Sequence, residues 1–326
     1  MISQREIARR LGLSVMTVSR ALRGHPDLSE ATRERIIDEA TKLGYSREIA
    51  PARAAAEVPP RARRMGLVAY GPDMSPLFES ETPRRIYLAI QQECQHNGAE
   101  TLVEFLPQLD ETPMLLRKKN VSGIFLFGRY TPDTAARFRD VPTLAVSSYI
   151  RDNPLPRIVA QNLRGMREAT RHLISLGHRR ILYLGLDEGD LTELYRERAD
   201  GYILAMQAHG LKPVLRFNPG YDFSAHLGDV KKFTAIACAT DGVAVAVRRQ
   251  LLERGLDLPG DCSLVGFDGT TEGRELGLSS YSPDWAMMGK VAADLLLFRP
   301  HDIHGKALHV IVPGEFVARS SSVKAR

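Results

Sequence analysis

The run Leu11-Gly12-Leu13-Ser14-Val15-Met16-Thr17-Val18-Ser19-Arg20-Ala21-Leu22-Arg23-Gly24 sets out two short helices joined by a glycine turn. Gly12 releases the first helix and Leu13 faces inward. Ser14 caps the second helix, on which Val18, Ala21 and Leu22 share one face. Working outward, Ser3 and Glu6 have the spacing of a capping box ahead of Ile7, Ala8 and Leu11. On the other side Ser29 opens a third helix carrying Ile36, Ile37, Ala40 and Leu43, and Gly44 ends it. Residues 1–45 are therefore expected to form three helices around a small apolar core, the first two making a helix-turn-helix.

On the second helix Val15, Met16, Thr17, Ser19, Arg20 and Arg23 are not needed for packing. Such a surface matches what a DNA major groove offers. A guanidinium bonds two guanine acceptors, apolar side chains meet thymine methyls, and hydroxyls meet phosphate oxygens. Ser29 and Thr32 bring hydroxyls and free backbone N–H groups to the start of the third helix, which also suits phosphate. Charge agrees with this placement. Residues 1–64 hold thirteen Lys/Arg against eight Asp/Glu, an excess of five that equals the +5 of the whole chain. A basic head on a balanced body fits a polyanion that touches the head alone.

Taken together, Ser14-x-x-Thr17-Val18-Ser19-Arg20-Ala21-Leu22-x-Gly24, Leu28-Ser29-x-x-Thr32-Arg33-x-Arg35-Ile36 and Leu43-Gly44-Tyr45 resemble the signature of the LacI/GalR family of bacterial transcription regulators. The resemblance implies that Tyr45 also belongs to the DNA-contacting set. It further implies that residues 46–64 form a hinge helix and linker, with a leucine wedged into the minor groove. Here Ala54 stands where that leucine would be, and Arg47 replaces the usual proline. Alanine favours helix, but a methyl group is a poor wedge for unstacking bases. Either another residue such as Ile49 takes part, or the operator is bent less. Arg61, Arg63 and Arg64 close the linker, where they are expected along phosphates.

At 326 residues the chain suits two or three domains. From Met65 the texture changes to apolar runs separated by helical patterns: strands near 65–70, 101–105, 121–127, 143–146, 158–160, 180–184, 213–217, 234–238, 262–267 and 309–312. The intervening helices are expected at 80–97, 163–176, 193–209, 242–254 and 284–297. Continuous apolar strands alternating with helices indicate parallel sheets covered on both faces, with ligands at the carboxyl ends of the strands. The fold class expected is α/β, a helix-turn-helix head on a bilobed core of two doubly wound parallel sheets. Leu176-Gly177-His178, Arg198-x-x-Gly201-Tyr202 and Pro259-x-Asp261-Cys262-Ser263-Leu264-Val265-Gly266-Phe267-Asp268 extend the family resemblance to this core. They imply a type I periplasmic-binding-protein-like body with a DNA-proximal part, 65–160 plus 288–326, and a distal part, 161–287.

By the same resemblance a small polar effector, such as a carbohydrate, is contacted by Arg198, Asp268, Thr240 and the rings of Phe78, Phe223 and Trp285. Thr240-Asp241 and Ser279-Ser280 depart from the family's usual Asn-Asp and Thr-Thr, which leaves the ligand's identity open. The partners expected are a double-stranded operator, that effector and a second copy of the chain. No apolar run reaches a membrane span and no secretory leader precedes the first helix, which points to the cytoplasm. Cys94, Cys238 and Cys262 are widely spaced in apolar surroundings and read as reduced structural thiols. No nucleophile, phosphate loop or metal-ligand spacing survives inspection, so neither an enzyme, a cofactor nor a metal is expected. Two alternatives stay open: a sugar receptor with no role in gene control, and a regulator whose effector site has decayed. The tail from Arg319 reads as a disordered end without the heptads of a tetramerising coil, which favours a dimer.

The linker carries its own test. Ala54→Leu should tighten operator binding in a gel-shift titration if the native hinge under-bends its site. Unchanged affinity would place the wedge elsewhere.

Overall fold

The computed structural model describes residues 3–22, 28–43, 63–71, 80–187 and 193–326. Arg23, Tyr45, Ala54 and Phe78, with the expected hinge at 46–62, lie outside them. Two compact units divide after residue 61.

In the first unit α1 spans Gln4–Leu11, α2 Val15–Leu22 and α3 Glu30–Lys42. Ile7, Ala8, Val18, Ala21, Leu22, Ile36 and Ala40 form its core, with Leu11, Leu13, Leu28 and Leu43 packed around them. Gly12 adopts φ 66°, the left-handed cap expected of the turn. The capping box is half formed. Ser3 Oγ accepts from the Glu6 amide, but the Glu6 carboxylate turns to Arg9 at 2.6 Å and Arg10 at 3.7 Å. Arg10 also lies 3.6 Å from Glu39, tying α1 to α3.

The second unit is an α/β body of two six-stranded sheets. Its first lobe contains β1 (Arg63–Tyr70), α4 (Glu81–His96), β2 (Ala99–Leu106), α5 (Met114–Lys118), β3 (Gly123–Gly128), α6 (Pro132–Ala136), β4 (Thr143–Val146) and β5 (Arg157–Ala160). The chain then enters the second lobe through α7 (Asn162–Ser175), β6 (Ile181–Leu186), α8 (Leu194–Ala208), β7 (Val214–Asn218), β8 (Ala235–Cys238), α9 (Asp241–Glu253), β9 (Ser263–Phe267), α10 (Thr271–Glu275) and β10 (Ser279–Pro283). It returns as α11 (Trp285–Phe298), α12 (Pro300–Ile303) and β11 (His309–Val312), and crosses once more into β12 (Gly314–Val317).

The strand orders are β11-β5-β4-β3-β1-β2, all parallel, and β12-β10-β9-β8-β6-β7, parallel except for antiparallel β12. In each sheet the order reverses beside its first strand, β1 or β6, which opens a crevice at the carboxyl ends. Helices α4 and α11 cover one face of the first sheet, crossing so closely that a Cβ on Gly289 would run into the Ile86 carbonyl and Ala89. Cys94 lies in that core, and Cys238 and Cys262 in the core beneath α9, so all three thiols are buried. No described helix is long and apolar enough to cross a membrane.

Three expectations change. Arg63 and Arg64 are not linker. They begin β1, with Arg63 Nη1 donating to the Leu297 carbonyl at 2.7 Å and Arg64 Nε to Glu100 at 3.0 Å. Residues 314–326 join the second lobe rather than the first, because β12 pairs with β10. The tail is also not a loose end. Ser321 exchanges backbone and hydroxyl bonds with Leu264, His178 Nε2 lies 2.9 Å from the Val323 carbonyl, and the Ala325 amide donates to Leu176 at 2.9 Å. Its serines hid this role, since they look like linker composition until Ser263, Ser279 and His178 are seen waiting for partners.

Deleting residues 320–326 strips bonding partners from Leu176, His178, Ser263, Leu264 and Ser279, and at about 1 kcal/mol each it should lower the melting temperature of the protein by roughly 10 °C or more. Calorimetry of the truncated chain checks this, and an unchanged transition would deny the tail its anchoring role.

Candidate functional site

Two surfaces carry the residues expected to act. On the first unit, α2 presents Val15 at 42% and Met16 at 64% exposure, large apolar side chains facing solvent although the core lies one helical face away. Ser14 Oγ accepts from the Thr17 amide at 3.0 Å and lies 2.8 Å from the Thr17 hydroxyl. Ser29 and Thr32 repeat this arrangement on α3, with 2.8 Å between hydroxyls. Ser14 and Ser29 cap the two helices by accepting from the amides of Thr17 and Thr32, and all four hydroxyls remain candidate phosphate ligands beside the first amides of each helix. Arg20 is exposed on the same helix and forms no ion pair with a described residue. Ser19 is half-buried and engaged in a polar contact of its own.

The second surface lies where the carboxyl ends of the two sheets meet. Arg198, on α8, is 2% exposed. Its Nε donates to Asn162 Oδ1 at 3.0 Å, its Nη1 to the Ala239 carbonyl at 2.7 Å, and its Nη2 lies 3.1 Å from Asp268. The guanidinium carbon stands 3.7 Å over the Phe267 ring. Asn162 in turn donates to Glu197 Oε2 at 2.9 Å. The structure thus joins Arg198 and Asp268, as a pair satisfied by the protein rather than two groups left open.

Asp268 is held in an uncommon backbone conformation, φ 120°, which costs on the order of 1–3 kcal/mol for a non-glycine residue. Two bonds fix it there: its amide donates to the Tyr281 carbonyl at 2.8 Å, and its carbonyl accepts from Trp285 Nε1 at 2.8 Å. Trp285 belongs to the first lobe's core and Asp268 to the second lobe, so this bond bridges them. A second bridge runs from Glu81 on α4 to the Thr271 amide, at 2.7 Å, and hydroxyl, at 3.0 Å.

Thr240 caps α9, its hydroxyl accepting from the Val243 amide at 3.0 Å. Asp241, fully buried, accepts from Ser280 Oγ at 2.6 Å and the Thr270 amide at 2.7 Å. A Cβ on Gly266 would collide with that carboxylate, so the glycine of Gly-Phe-Asp makes room for Asp241. Phe223 has no exposed surface and packs with Leu184, Leu186, Val243 and Val247 beneath α9, a core position rather than an open ring face. Trp285 is 1% exposed. Sequence reasoning missed Asn162, Glu197 and Asp241. Only the asparagine and aspartate in otherwise apolar strand-to-helix junctions signalled them.

The body matches two family profiles, periplasmic binding proteins and sugar-binding domain of the LacI family over residues 84–219, and a periplasmic-binding-protein-like domain over 170–322. Residues 4–48 match bacterial regulatory proteins of the lacI family. An uncharacterised HTH-type transcriptional regulator from Streptomyces limosus is 30% identical over 288 residues, covering 81% of this chain and 77% of that protein. The HTH-type transcriptional regulator GalR of Escherichia coli is 28% identical, covering 82% and 80%. Among solved structures, the Lac repressor dimer bound to operator and an anti-inducer superposes with TM-score 0.67 at 21% identity, covering 99% of each chain. Fold and matches together define a DNA-binding transcription regulator, a helix-turn-helix unit joined to a periplasmic-binding-like body. The chain belongs to the LacI family.

Burial, with the Asp241 charge adding to it, pushes the Asp268 carboxyl from 3.8 up to about 7 against the pull of Arg198. Because the folded value exceeds the unfolded one, the stabilising contribution is complete below about pH 4 and fades as the pH rises through 7. The melting-temperature advantage of the wild type over Asp268→Asn should therefore shrink between pH 5 and pH 8. A constant difference across that range would refute the shift.

Proposed function

We propose that the protein represses transcription as a cytoplasmic homodimer, two heads reading the half-sites of a pseudo-palindromic operator. The observation that carries this reading is the exposed pair Val15 and Met16 beside Arg20 on α2, between two capped helix N-termini. Apolar side chains so placed are costly in water and useful against thymine methyls, and two heads on a symmetric dimer match a two-fold site. Val15, Met16 and Arg20 read bases, while Ser14, Thr17, Ser19, Ser29 and Thr32 hold phosphates, with Arg23, Tyr45 and the hinge completing the contact.

A small polar effector enters the crevice between the lobes near Asp268, Thr240 and Trp285 and alters the angle between them. The lobe bridges at Glu81–Thr271 and Trp285–Asp268 are what such a change must strain or re-form. Effector affinity that differs between the two angles shifts operator affinity by the same factor, by reciprocity. A second reading, repression without any effector, is favoured by the saturation of Arg198 and the capping role of Thr240.

Arg20→Ala should cost about 1–3 kcal/mol of discrimination at one base pair, if its guanidinium bonds guanine in two places. Gel-shift titrations against the palindromic DNA beside the gene, with single base changes, measure it. A uniform loss across all sequences would make Arg20 a phosphate contact, and no salt-sensitive DNA binding at all would remove the regulator reading.

A further inference from the structure

The crevice lies at the carboxyl ends of the strands, but the first lobe also has a cavity at the opposite end, where β4 and β5 begin. Its volume is about 210 Å³. Phe138, Leu155 and Pro156, all buried, and half-buried Val141 give it an apolar wall. Thr143, the one polar side chain on that wall, is already committed, its hydroxyl donating to the Val141 carbonyl at 2.9 Å. Donors stand at the solvent side instead. Arg139 and His304 are exposed lining residues, and neither side chain has a partner among the described residues. The amide of Gly305, which also lines the cavity, has none among them either.

The charges on the surrounding segments leave this cationic side standing. Asp302 is held by Arg299 at 2.8 Å, with Lys306 and His301 also acting on it. Arg157, next to Pro156, donates to the Ile150 carbonyl at 3.5 Å, and Arg137 to the Leu109 and Glu111 carbonyls at 3.0 and 3.1 Å. Asp140, between Arg139 and Val141, forms no ion pair among the described residues, but it does not line the cavity.

Size and chemistry together narrow the ligand. Benzene fills an apolar cavity of about 150 Å³, and pockets for drug-sized molecules start near about 300 Å³. The space therefore suits one ring or short branched chain with a single small polar group. A sugar would leave most of its hydroxyls unpaired against the wall. A bare inorganic anion would leave the wall uncovered.

We propose that this cavity binds a small apolar carboxylate, its ring or branched chain against Phe138 and Leu155 and its carboxylate on Arg139, His304 and the Gly305 amide. Such a ligand removes apolar surface from water at one end and forms charge-assisted bonds at the other. The site is separate from the crevice, and its occupancy is measurable whether or not the protein reads DNA.

Isothermal titration of the full chain with benzoate, phenylacetate and isovalerate tests this, against benzamide, benzyl alcohol and sodium sulfate at equal ionic strength. At least one carboxylate should bind, one per chain, more tightly than the neutral compounds and than sulfate. Arg139→Gln and His304→Gln alter exposed side chains and leave the wall intact, and each should weaken that carboxylate by about tenfold. Silence from all three carboxylates overturns the proposal. A neutral compound or sulfate that binds as well as the carboxylates overturns it too, as does an affinity that survives both substitutions.

Discussion

A guanidinium buried at the junction of two lobes holds this body's functional end together. Removing a charge from water is expensive, and the expense is tolerable only with several well-placed acceptors. Arg198 draws those acceptors from segments far apart in sequence: Asn162 at the first crossing, Ala239 past the end of β8, and Asp268 past the end of β9. Meeting that demand fixes where three strand ends lie relative to α8. It also explains why Asp268 keeps a backbone conformation that other residues avoid, braced by Tyr281 on one side and Trp285 on the other.

From that junction the constraints spread outward. The Asp241 carboxylate forms no ion pair among the described residues and takes its donors from Ser280 and Thr270. Of the two serines standing where the resemblance leads one to expect threonines, Ser280 gives its hydroxyl to Asp241, while the Ser279 hydroxyl serves the tail at Arg319 and Ser322. Thr240 keeps a side-chain oxygen at its position but turns it to the α9 backbone.

The head and the sheets were legible because their signals are local. Ser14, Ser29 and Gly12 are caps whatever surrounds them, and the apolar strands bracket β1 to β9 within a few residues. The type of residue at the junction was legible too. What Arg198 bonds to was not, because Asn162 and Asp268 are separated from it by chain that says nothing of distance. Phe223 failed for a related reason, since an aromatic ring is equally at home in a core and in a pocket wall. The strands β10 and β12 escaped notice because Ser279-Ser280-Tyr281-Ser282 and Gly314-Glu315-Phe316-Val317 lack the apolar run of a buried strand. They are stabilised by pairing with each other and by the tail's serines.

The interleaving of the two sheets sets a timetable for synthesis. The first sheet is missing an edge until His309–Val312 emerges, and the second is missing one until Gly314–Val317 follows. Neither sheet is therefore complete until these two strands, separated only by Pro313, have been made. The described core of the head, from Ile7 to Leu43, lies in sequence made long before. Completion of both sheets thus falls late in synthesis, after the residues of the head.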